Sequence, residues 1–181
     1  METLYGIETV LNMESPTDSF LVKLEDNTPG IRFKGFKLRD CDTNEVYHEF
    51  SSDNIYLLDY FADNLLNYKF PNRILKSKTV GSNLTLVVGN DFVENLDLIE
   101  RHYIDDKLVA SYKFNFPCFM PNSENNIEFI YSVPTLDDEN TKKLSEGETI
   151  NAKSDTFIFV GGKMIIHRRA VYFYEEMEKS D

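Results

Sequence analysis

Cysteine, tryptophan and long apolar runs are scarce or absent in this chain of 181 residues. The two cysteines, Cys41 and Cys118, cannot build a disulfide framework and match no metal-binding spacing, so we interpret them as free thiols of a reducing compartment. The N-terminus carries Glu2 and Glu8 and no continuous apolar run, which argues against a secretory signal or a membrane-spanning helix. These absences predict a cytoplasmic protein without stable membrane insertion.

Basic residues are also in short supply. The chain has 19 Lys and Arg against 31 Asp and Glu, a net charge of −12 that opposes nucleic-acid phosphates and anionic membrane surfaces. We therefore expect no nucleic-acid partner, and protein or neutral-ligand partners instead. Phe and Tyr are plentiful, 14 and 10 respectively, so the core must be unusually aromatic. Such a core either packs densely or lines an apolar cavity.

The residue patterns of most enzymes and metal sites are missing. The sequence has no glycine-rich phosphate loop, nucleophile elbow or zinc-type histidine pair. Its three histidines, His48, His102 and His167, lie in separate predicted strands. The Asp40–Asn44 turn has the first oxygen spacings of a calcium loop, but Glu45 stands where glycine is needed. We predict no catalytic residues, no metal and no cofactor.

Short β-rich runs separated by turn residues dominate the chain. About eight or nine such strands with little helix predict an all-β protein, an antiparallel β-sandwich over residues 31–174. A loosely held segment (1–30) precedes it, and an acidic, frayed tail (175–181) follows. Among the details are a bulged strand over 31–38, a local anchor at Tyr60–Phe61, hairpin-connected strands divided at Gly81–Ser82, an exposed helix over 136–144 and a C-terminal hairpin turning at Gly161–Gly162.

The run from Leu98 to Ile104 is the most informative of these strands. Alternate side chains of a strand share a face, so Glu100 and His102 lie on the same face as apolar Leu98 and Ile104. A carboxylate on a core face is costly unless it is partnered. Glu100 and His102 therefore mark either a satisfied internal pair or a binding cavity.

The next strand alternates cleanly and fixes what lies beside this pair. Its even-numbered residues are expected to face the core: Leu108, Ala110, Tyr112, Phe114 and Phe116. A three-residue loop at Asp105–Lys107 would set His102 opposite Ala110 and Glu100 opposite Tyr112. The small Ala110 would leave room in that layer, as a cavity requires.

These residues leave three functions open. Glu100 and His102 could form an acid–base dyad, but no nucleophile or oxyanion donor can be placed beside them. An aromatic sandwich with a few inward polar groups is typical of a module that binds apolar ligands. An ordinary packed core with an internal Glu–His pair fits about as well.

Several segments, in order, resemble a known family. They are Phe36–Asp40, Tyr68–Phe70, Val80–Gly81, Ile99–Tyr103, Pro121–Ser123, Ile130–Tyr131, Ser154–Phe157 and Phe159–Val160. Over roughly residues 30–174 the chain is similar to the superfamily of the phosphodiesterase delta subunit, and most similar to its acyl-binding branch, the uncoordinated-119 proteins.

The resemblance implies an immunoglobulin-like sandwich whose sheets open around a hydrophobic slot for a lipid. In the acyl-binding branch that lipid is the N-terminal myristoyl-type group of a client protein. The family solubilises lipidated clients, carries them between membranes and into the cilium or flagellum, and releases them when an Arf-like small GTPase in its GTP form binds. We expect a monomeric carrier of this kind.

Residue-wise matching to the family assigns the slot. The polar pocket would comprise Tyr68, Glu100, His102 and Thr156, and the apolar wall Phe36, Leu38, Ile74, Val80, Tyr112, Tyr131 and Tyr172.

Two alternatives accompany this assignment: a carrier of prenylated C-termini of the phosphodiesterase delta type, and an interaction scaffold with a filled core. Ala110 and Ser82 stand where the prenyl-binding branch has an acid and an arginine, which favours the acyl branch. His48 is a departure from the family pattern, since the prenyl-binding branch has tryptophan there. Ile158 departs from the tyrosine usual in the acyl branch.

Overall fold

The computed structural model describes residues 5–54, 64–146 and 150–177, and its architecture is nearly all β. Nine strands lie in these residues: β1 (Arg32–Asp40), β2 (Val46–Ser51), β3 (Leu66–Pro71), β4 (Thr79–Val87), β5 (Val93–Ile104), β6 (Lys107–Phe119), β7 (Glu124–Ser132), β8 (Ala152–Val160) and β9 (Lys163–Glu175). Two helices, α1 (Ile7–Leu11) and α2 (Asp138–Ser145), and two 3₁₀ turns, Leu24–Asp26 and Asn72–Lys76, accompany them. The predicted anchor at Tyr60–Phe61 and the end of the predicted tail lie outside the described residues.

The strands form two sheets that enclose a common core. The smaller sheet has the order β2-β1-β4-β7 and the larger the order β3-β9-β8-β5-β6. Leu86 and Phe129 of the smaller sheet pack against Leu98 and Ile166 of the larger sheet. Neighbouring strands are antiparallel except β3 and β9, which run parallel along the edge of the larger sheet. The predicted β-sandwich is confirmed, with one mixed sheet.

The β5–β6 hairpin has the predicted register but reaches it differently. Glu100 pairs with Tyr112 and His102 with Ala110, as expected, yet the loop contains two residues, Asp105 and Asp106, with φ of +48° and +61°. A bulge after His102 adds one residue to β6, which restores the even-numbered alignment. Beyond that bulge Leu108 is exposed, so its predicted core position is wrong.

The predicted hairpin at Gly81–Ser82 is also wrong, because both residues lie inside the continuous strand β4. A Cβ on Gly81 would lie 3.0 Å from the Glu128 carboxylate and 3.3 Å from the Arg39 guanidinium. Those two side chains form an ion pair of 2.7 Å across the strand. Because glycine has no side chain, Arg39 and Glu128 can meet directly over the backbone of Gly81, which explains a glycine inside a strand.

Other turn and bulge predictions agree with the structure. The register of β1 against β4 shifts between Phe33 and Gly35, where the bulge was expected. Gly161 and Gly162 form the β8–β9 turn, with φ of +55° and +81° that favour glycine.

Residues 5–22, part of the segment that the sequence predicts to be loosely held, pack against the outer face of the larger sheet. Val10 of α1 is fully buried in a cluster with Ile99, Phe157 and Phe159. The Arg101 side chain, 2% exposed, donates hydrogen bonds to backbone carbonyls of this segment, those of Leu11 (2.9 Å) and Met13. A buried apolar face and satisfied carbonyls hold the segment to the sheet.

A second anchor lies further along the same face. The Asp155 carboxylate, 1% exposed, accepts hydrogen bonds from the Thr17 backbone N–H and hydroxyl, both at 2.8 Å. It also lies 3.1 Å from Nε2 of His167, whose Nδ1 accepts a hydrogen bond from the Leu21 N–H at 3.0 Å. Since Nδ1 is an acceptor, the imidazole proton resides on Nε2 and is donated to Asp155. The sheet thus fixes the backbone of residues 17–21.

Asp40 at the end of β1 provides a pH-dependent contribution to stability. Hydrogen bonds from the Ser77 hydroxyl and from the Thr43 backbone N–H lower the pKa of Asp40 from 3.8 to about 2. Because the folded pKa is depressed, this contribution is present above pH 4 and is lost as pH falls towards 2. We expect Asp40→Asn to lower the free energy of unfolding at pH 7 by about 1 kcal/mol after allowance for solvent screening. In urea unfolding between pH 7 and pH 2, the gap between the two proteins should close below pH 4; a constant gap would contradict this.

Candidate functional site

Successive layers of side chains cross the inner face of the larger sheet. The first layer is apolar and contains Phe114, Leu98, Ile158 and Ile166, which are paired strand to strand. The next is polar and contains Tyr112, Glu100, Thr156 and Arg168, again in register. The third contains Ala110, His102, Ser154 and Ala170. Because side chains alternate along each strand, the second and third layers both point into the sandwich, one as a polar row and the other as a row of small or polar residues.

A cavity of about 390 Å³ lies between the sheets at these layers. The smaller sheet lines it with aromatic and aliphatic side chains, among them Phe33, Phe36, Leu84 and Phe129. The larger sheet contributes most of the polar groups, including Glu100, Ser154, Thr156 and Arg168. An apolar chamber with a few convergent polar groups is typical of a small-molecule binding site, and its volume is within the usual range.

A smaller cavity of about 90 Å³ adjoins the first. The two share Phe36, Glu100 and Tyr172 in their walls, so Glu100 lies at the boundary between them. The walls of the smaller cavity are otherwise mainly apolar and aromatic.

The structure gathers nearly all of the predicted site residues around these cavities. Tyr68, Glu100 and Thr156 of the predicted polar group line the larger cavity, and His102 lines the smaller one. Of the predicted apolar wall, Phe36 and Tyr172 line both cavities, and Leu38, Ile74, Val80 and Tyr131 line the smaller one. Their role in lipid binding stays a prediction.

Tyr112 is the predicted wall residue that lines neither cavity. Its hydroxyl donates a 2.7 Å hydrogen bond to the Ser132 carbonyl, and its ring lies 4.7 Å from that of Tyr131. Tyr112 therefore packs against the wall residue Tyr131 without lining a cavity, and its hydrogen bond connects the edge strand β6 to β7 of the smaller sheet.

Glu100 and His102 do not form the satisfied internal pair that the sequence left open. His102 Nε2 lies 3.3 Å from Glu100 Oε1, but the atoms are not aligned for a hydrogen bond. That buried nitrogen has no hydrogen-bond partner among the described residues. Both side chains are about one-fifth exposed, at 19% for His102 and 20% for Glu100. The pair retains hydrogen-bonding capacity towards a ligand.

The tyrosines of the aromatic wall are uncharged at neutral pH. Burial raises the pKa of Tyr68 and, further, that of Tyr172, so both phenols remain protonated hydroxyls at neutral pH. The Tyr172 hydroxyl is 2.6 Å from the Ser154 hydroxyl. Burial lowers the pKa of His48, whose ring lies 5.3 Å from that of Tyr68 and lines the larger cavity as an aromatic side chain.

Arg168 is a cavity residue that the sequence analysis missed. Its guanidinium lies 4.8 Å from the centre of the Phe33 ring in the opposite sheet. Its buried Nε has no hydrogen-bond partner among the described residues, and burial lowers the pKa of the guanidinium. The alternation of β9 could have revealed it, because Arg168 shares a face with Ala170 and Tyr172.

Within 5–54, 64–146 and 150–177, no three His, Cys, Asp or Glu side chains come together as a metal site. No helix in that part of the chain is both long and apolar enough to cross a membrane.

Comparison with known proteins agrees with this architecture. The family model described as GMP-PDE, delta subunit, matches residues 25–174. Protein unc-119 homolog B-B of Xenopus laevis is 35% identical over 175 residues, which cover 92% of this chain and 72% of the relative. Protein unc-119 homolog B of Homo sapiens is 33% identical over 178 residues, covering 92% and 70%. Protein unc-119 of Caenorhabditis elegans is 33% identical over 172 residues, covering 92% and 78%.

The family match spans nearly the whole sandwich, and each alignment with a relative covers most of both proteins. The protein belongs to the GMP-PDE delta subunit family, in its unc-119 branch.

Proposed function

We propose that this protein is a chaperone that holds the N-terminal acyl group of client proteins, a myristoyl-type chain, in the cavity between its sheets. The family is one of lipid-binding chaperones rather than catalysts. The observation that carries the proposal is the cavity of about 390 Å³, whose aromatic walls are crossed by one polar row.

The energetics suit an acyl chain. Each methylene transferred from water to such walls contributes about 0.8 kcal/mol, so a long chain supplies ample driving force. The amide that joins the chain to the first residue of the client must keep its hydrogen bonds when it leaves water. Glu100, Thr156 and Tyr68 line the larger cavity and offer partners for it.

The same polar row favours an acyl group over a prenyl group. A prenylated cysteine is joined to its lipid by a thioether, which has no N–H to donate and is only a weak acceptor. The charged groups of the row, Glu100 and Arg168, would gain no hydrogen bond of comparable strength from that linkage, at a cost in affinity. A carrier of prenylated C-termini is therefore the second candidate, and a filled-core scaffold is disfavoured by the open cavity.

The cellular part of the proposal rests on family membership. We propose a cytoplasmic, monomeric carrier that moves acylated clients between membranes, including to the cilium or flagellum, and releases them when an Arf-like small GTPase in its GTP form binds. The net charge of −12 supports protein partners over anionic membrane surfaces.

A titration with matched peptides tests the proposal. The purified protein is titrated with a fluorescent glycine-start peptide carrying an N-myristoyl group, with the same peptide unacylated, and with a farnesylated C-terminal peptide. We expect the acylated peptide to bind at least about 10-fold more tightly than either of the others, because it alone combines chain burial with an amide. Equal affinity for the acylated and unacylated peptides would overturn the proposal, and tighter binding of the farnesylated peptide would favour a prenyl carrier.

A further inference from the structure

Arg168 and Glu100 are the two charged residues, of opposite sign, in the polar layer that the larger sheet contributes to the cavity. They flank Thr156, which pairs with Glu100 on one side and with Arg168 on the other. Since neighbouring strands are about 4.8 Å apart, the two backbone positions are roughly 10 Å apart. Among the described residues, no ion pair within 4 Å joins the two side chains. The row therefore offers a ligand the Arg168 guanidinium as donor and the Glu100 carboxylate as acceptor, separated by the width of Thr156.

The charges of this row restrict the ligand group that fits the gap. The buried Nε of Arg168 has no hydrogen-bond partner among the described residues, which is costly, and the Glu100 carboxylate, only 20% exposed, also gains from a hydrogen-bond donor. Arg168 and Glu100 balance each other in net charge, so an anionic ligand group would leave an excess negative charge in a low-dielectric site. A neutral group with one acceptor and one donor would satisfy both side chains.

A secondary amide is such a group. Its planar trans geometry directs the carbonyl oxygen and the N–H to opposite sides of one linkage. An ester keeps the carbonyl and loses the N–H, an ether loses both, and an unesterified fatty acid carries a negative charge at neutral pH.

We propose that Arg168 is a specificity-determining residue that donates a hydrogen bond to the carbonyl oxygen of the acyl amide while Glu100 accepts from its N–H. The cavity thereby selects N-acyl amides over O-acyl esters and over unesterified fatty acids. This inference rests on the proposed function and identifies the amide as the linkage that the site recognises.

The test uses four ligands with the same 14-carbon chain and, where present, the same peptide. The first is the N-myristoyl glycyl peptide, and the second is its ester analogue, in which oxygen replaces the amide N–H. The third is an ether analogue, in which a CH₂–O linkage replaces the amide, and the fourth is free myristate. Each is titrated against the native protein and the variants Arg168→Met, Glu100→Met and Arg168→Lys. Lys113→Met, at a position on β6 that is 43% exposed, serves as the matched control, and thermal unfolding verifies that every variant is folded.

Each variant should remove one recognisable contact. Arg168→Met should weaken amide and ester binding alike, by roughly 10- to 100-fold, and leave the ether unchanged, since a hydrogen bond to a charged group is lost. Glu100→Met should weaken the amide alone by a similar factor and strengthen the binding of free myristate, because a like charge is removed. Arg168→Lys should recover part of the loss, and Lys113→Met should behave as the native protein.

Other outcomes separate the inference from the proposed function. If Arg168→Met weakens all four ligands equally, Arg168 has only a structural role and the inference is overturned. It is also overturned if free myristate binds the native protein more tightly than the amide, or if amide, ester and ether bind equally; the acyl-binding function survives in both cases. If no ligand with the chain binds the native protein, the proposed function itself fails.

Discussion

Replacing Ala170 with phenylalanine is expected to reduce the affinity for a myristoylated peptide about 100-fold or more. Ala170 lines the larger cavity from β9, where it pairs with Ser154 and Leu66. An apolar cavity of roughly 150 Å³ is large enough to hold a benzene ring, so a phenyl ring takes up a substantial part of the cavity of about 390 Å³. If the ring excludes four or five methylenes of the acyl chain, each of which contributes about 0.8 kcal/mol, the binding free energy weakens by roughly 3–4 kcal/mol.

The fold should tolerate this change because the ring enters empty space. We expect the free energy of unfolding to fall by no more than about 1–3 kcal/mol, the usual cost of local overpacking. The matched control is Val171→Phe, one residue further along β9 and on the opposite face of the sheet, outside the lining of the larger cavity. It should bind the acylated peptide as the native protein does. If Ala170→Phe binds normally, the ligand does not occupy this cavity.

Replacing Asp155 with alanine is expected to lower the free energy of unfolding by about 3–5 kcal/mol. The substitution leaves the His167 Nε2–H and the Thr17 N–H without their shared acceptor in a site where Asp155 is 1% exposed. It also removes the carboxylate that lies 4.0 Å from Nε of Arg169, whose Nη2 donates a 2.5 Å hydrogen bond to the Thr17 carbonyl. The connection between the N-terminal segment and the sheet is thus lost at several atoms together.

Urea unfolding measures the loss, and hydrogen exchange locates it. Backbone amides of Thr17 and Leu21, which are bonded to Asp155 and His167, should exchange faster in Asp155→Ala than amides of β5. Asp53→Ala is the control, since that carboxylate is 87% exposed and pairs with Lys34 at the surface, where an ion pair is worth little. A loss below about 1 kcal/mol for Asp155→Ala, or unchanged exchange at Thr17, would show that the segment is held by its apolar contacts alone.

Strand alternation predicted which faces of the sandwich carry which residues. It placed Glu100 and His102 on an apolar face and set them opposite Tyr112 and Ala110, and the structure confirms both pairings. The prediction succeeded because alternation along a strand and pairing across a hairpin are local properties. The turn was harder, since a two-residue turn plus a bulge gives the same register as a three-residue loop.

Glycine shows where local reasoning was insufficient. Gly161 and Gly162 were correctly predicted as a turn, whereas Gly81 lies within a strand. Nothing in the neighbouring sequence distinguishes these cases. Gly81 is required by the approach of Arg39 and Glu128, which are 42 and 47 residues away from it along the chain and meet only in the folded sheet.

By itself, the sequence determined the fold class, the polar pair on β5 and most of the residues around the two cavities, because these follow from side-chain periodicity and from resemblance to a family. The tertiary structure alone decided that β3 runs parallel beside β9, that residues 5–22 cover the outer face of the larger sheet, and that Arg168 lies across Thr156 from Glu100. Those features depend on contacts between residues far apart in the chain, whose free energy is realised only when both sheets and the segment that covers them have come together.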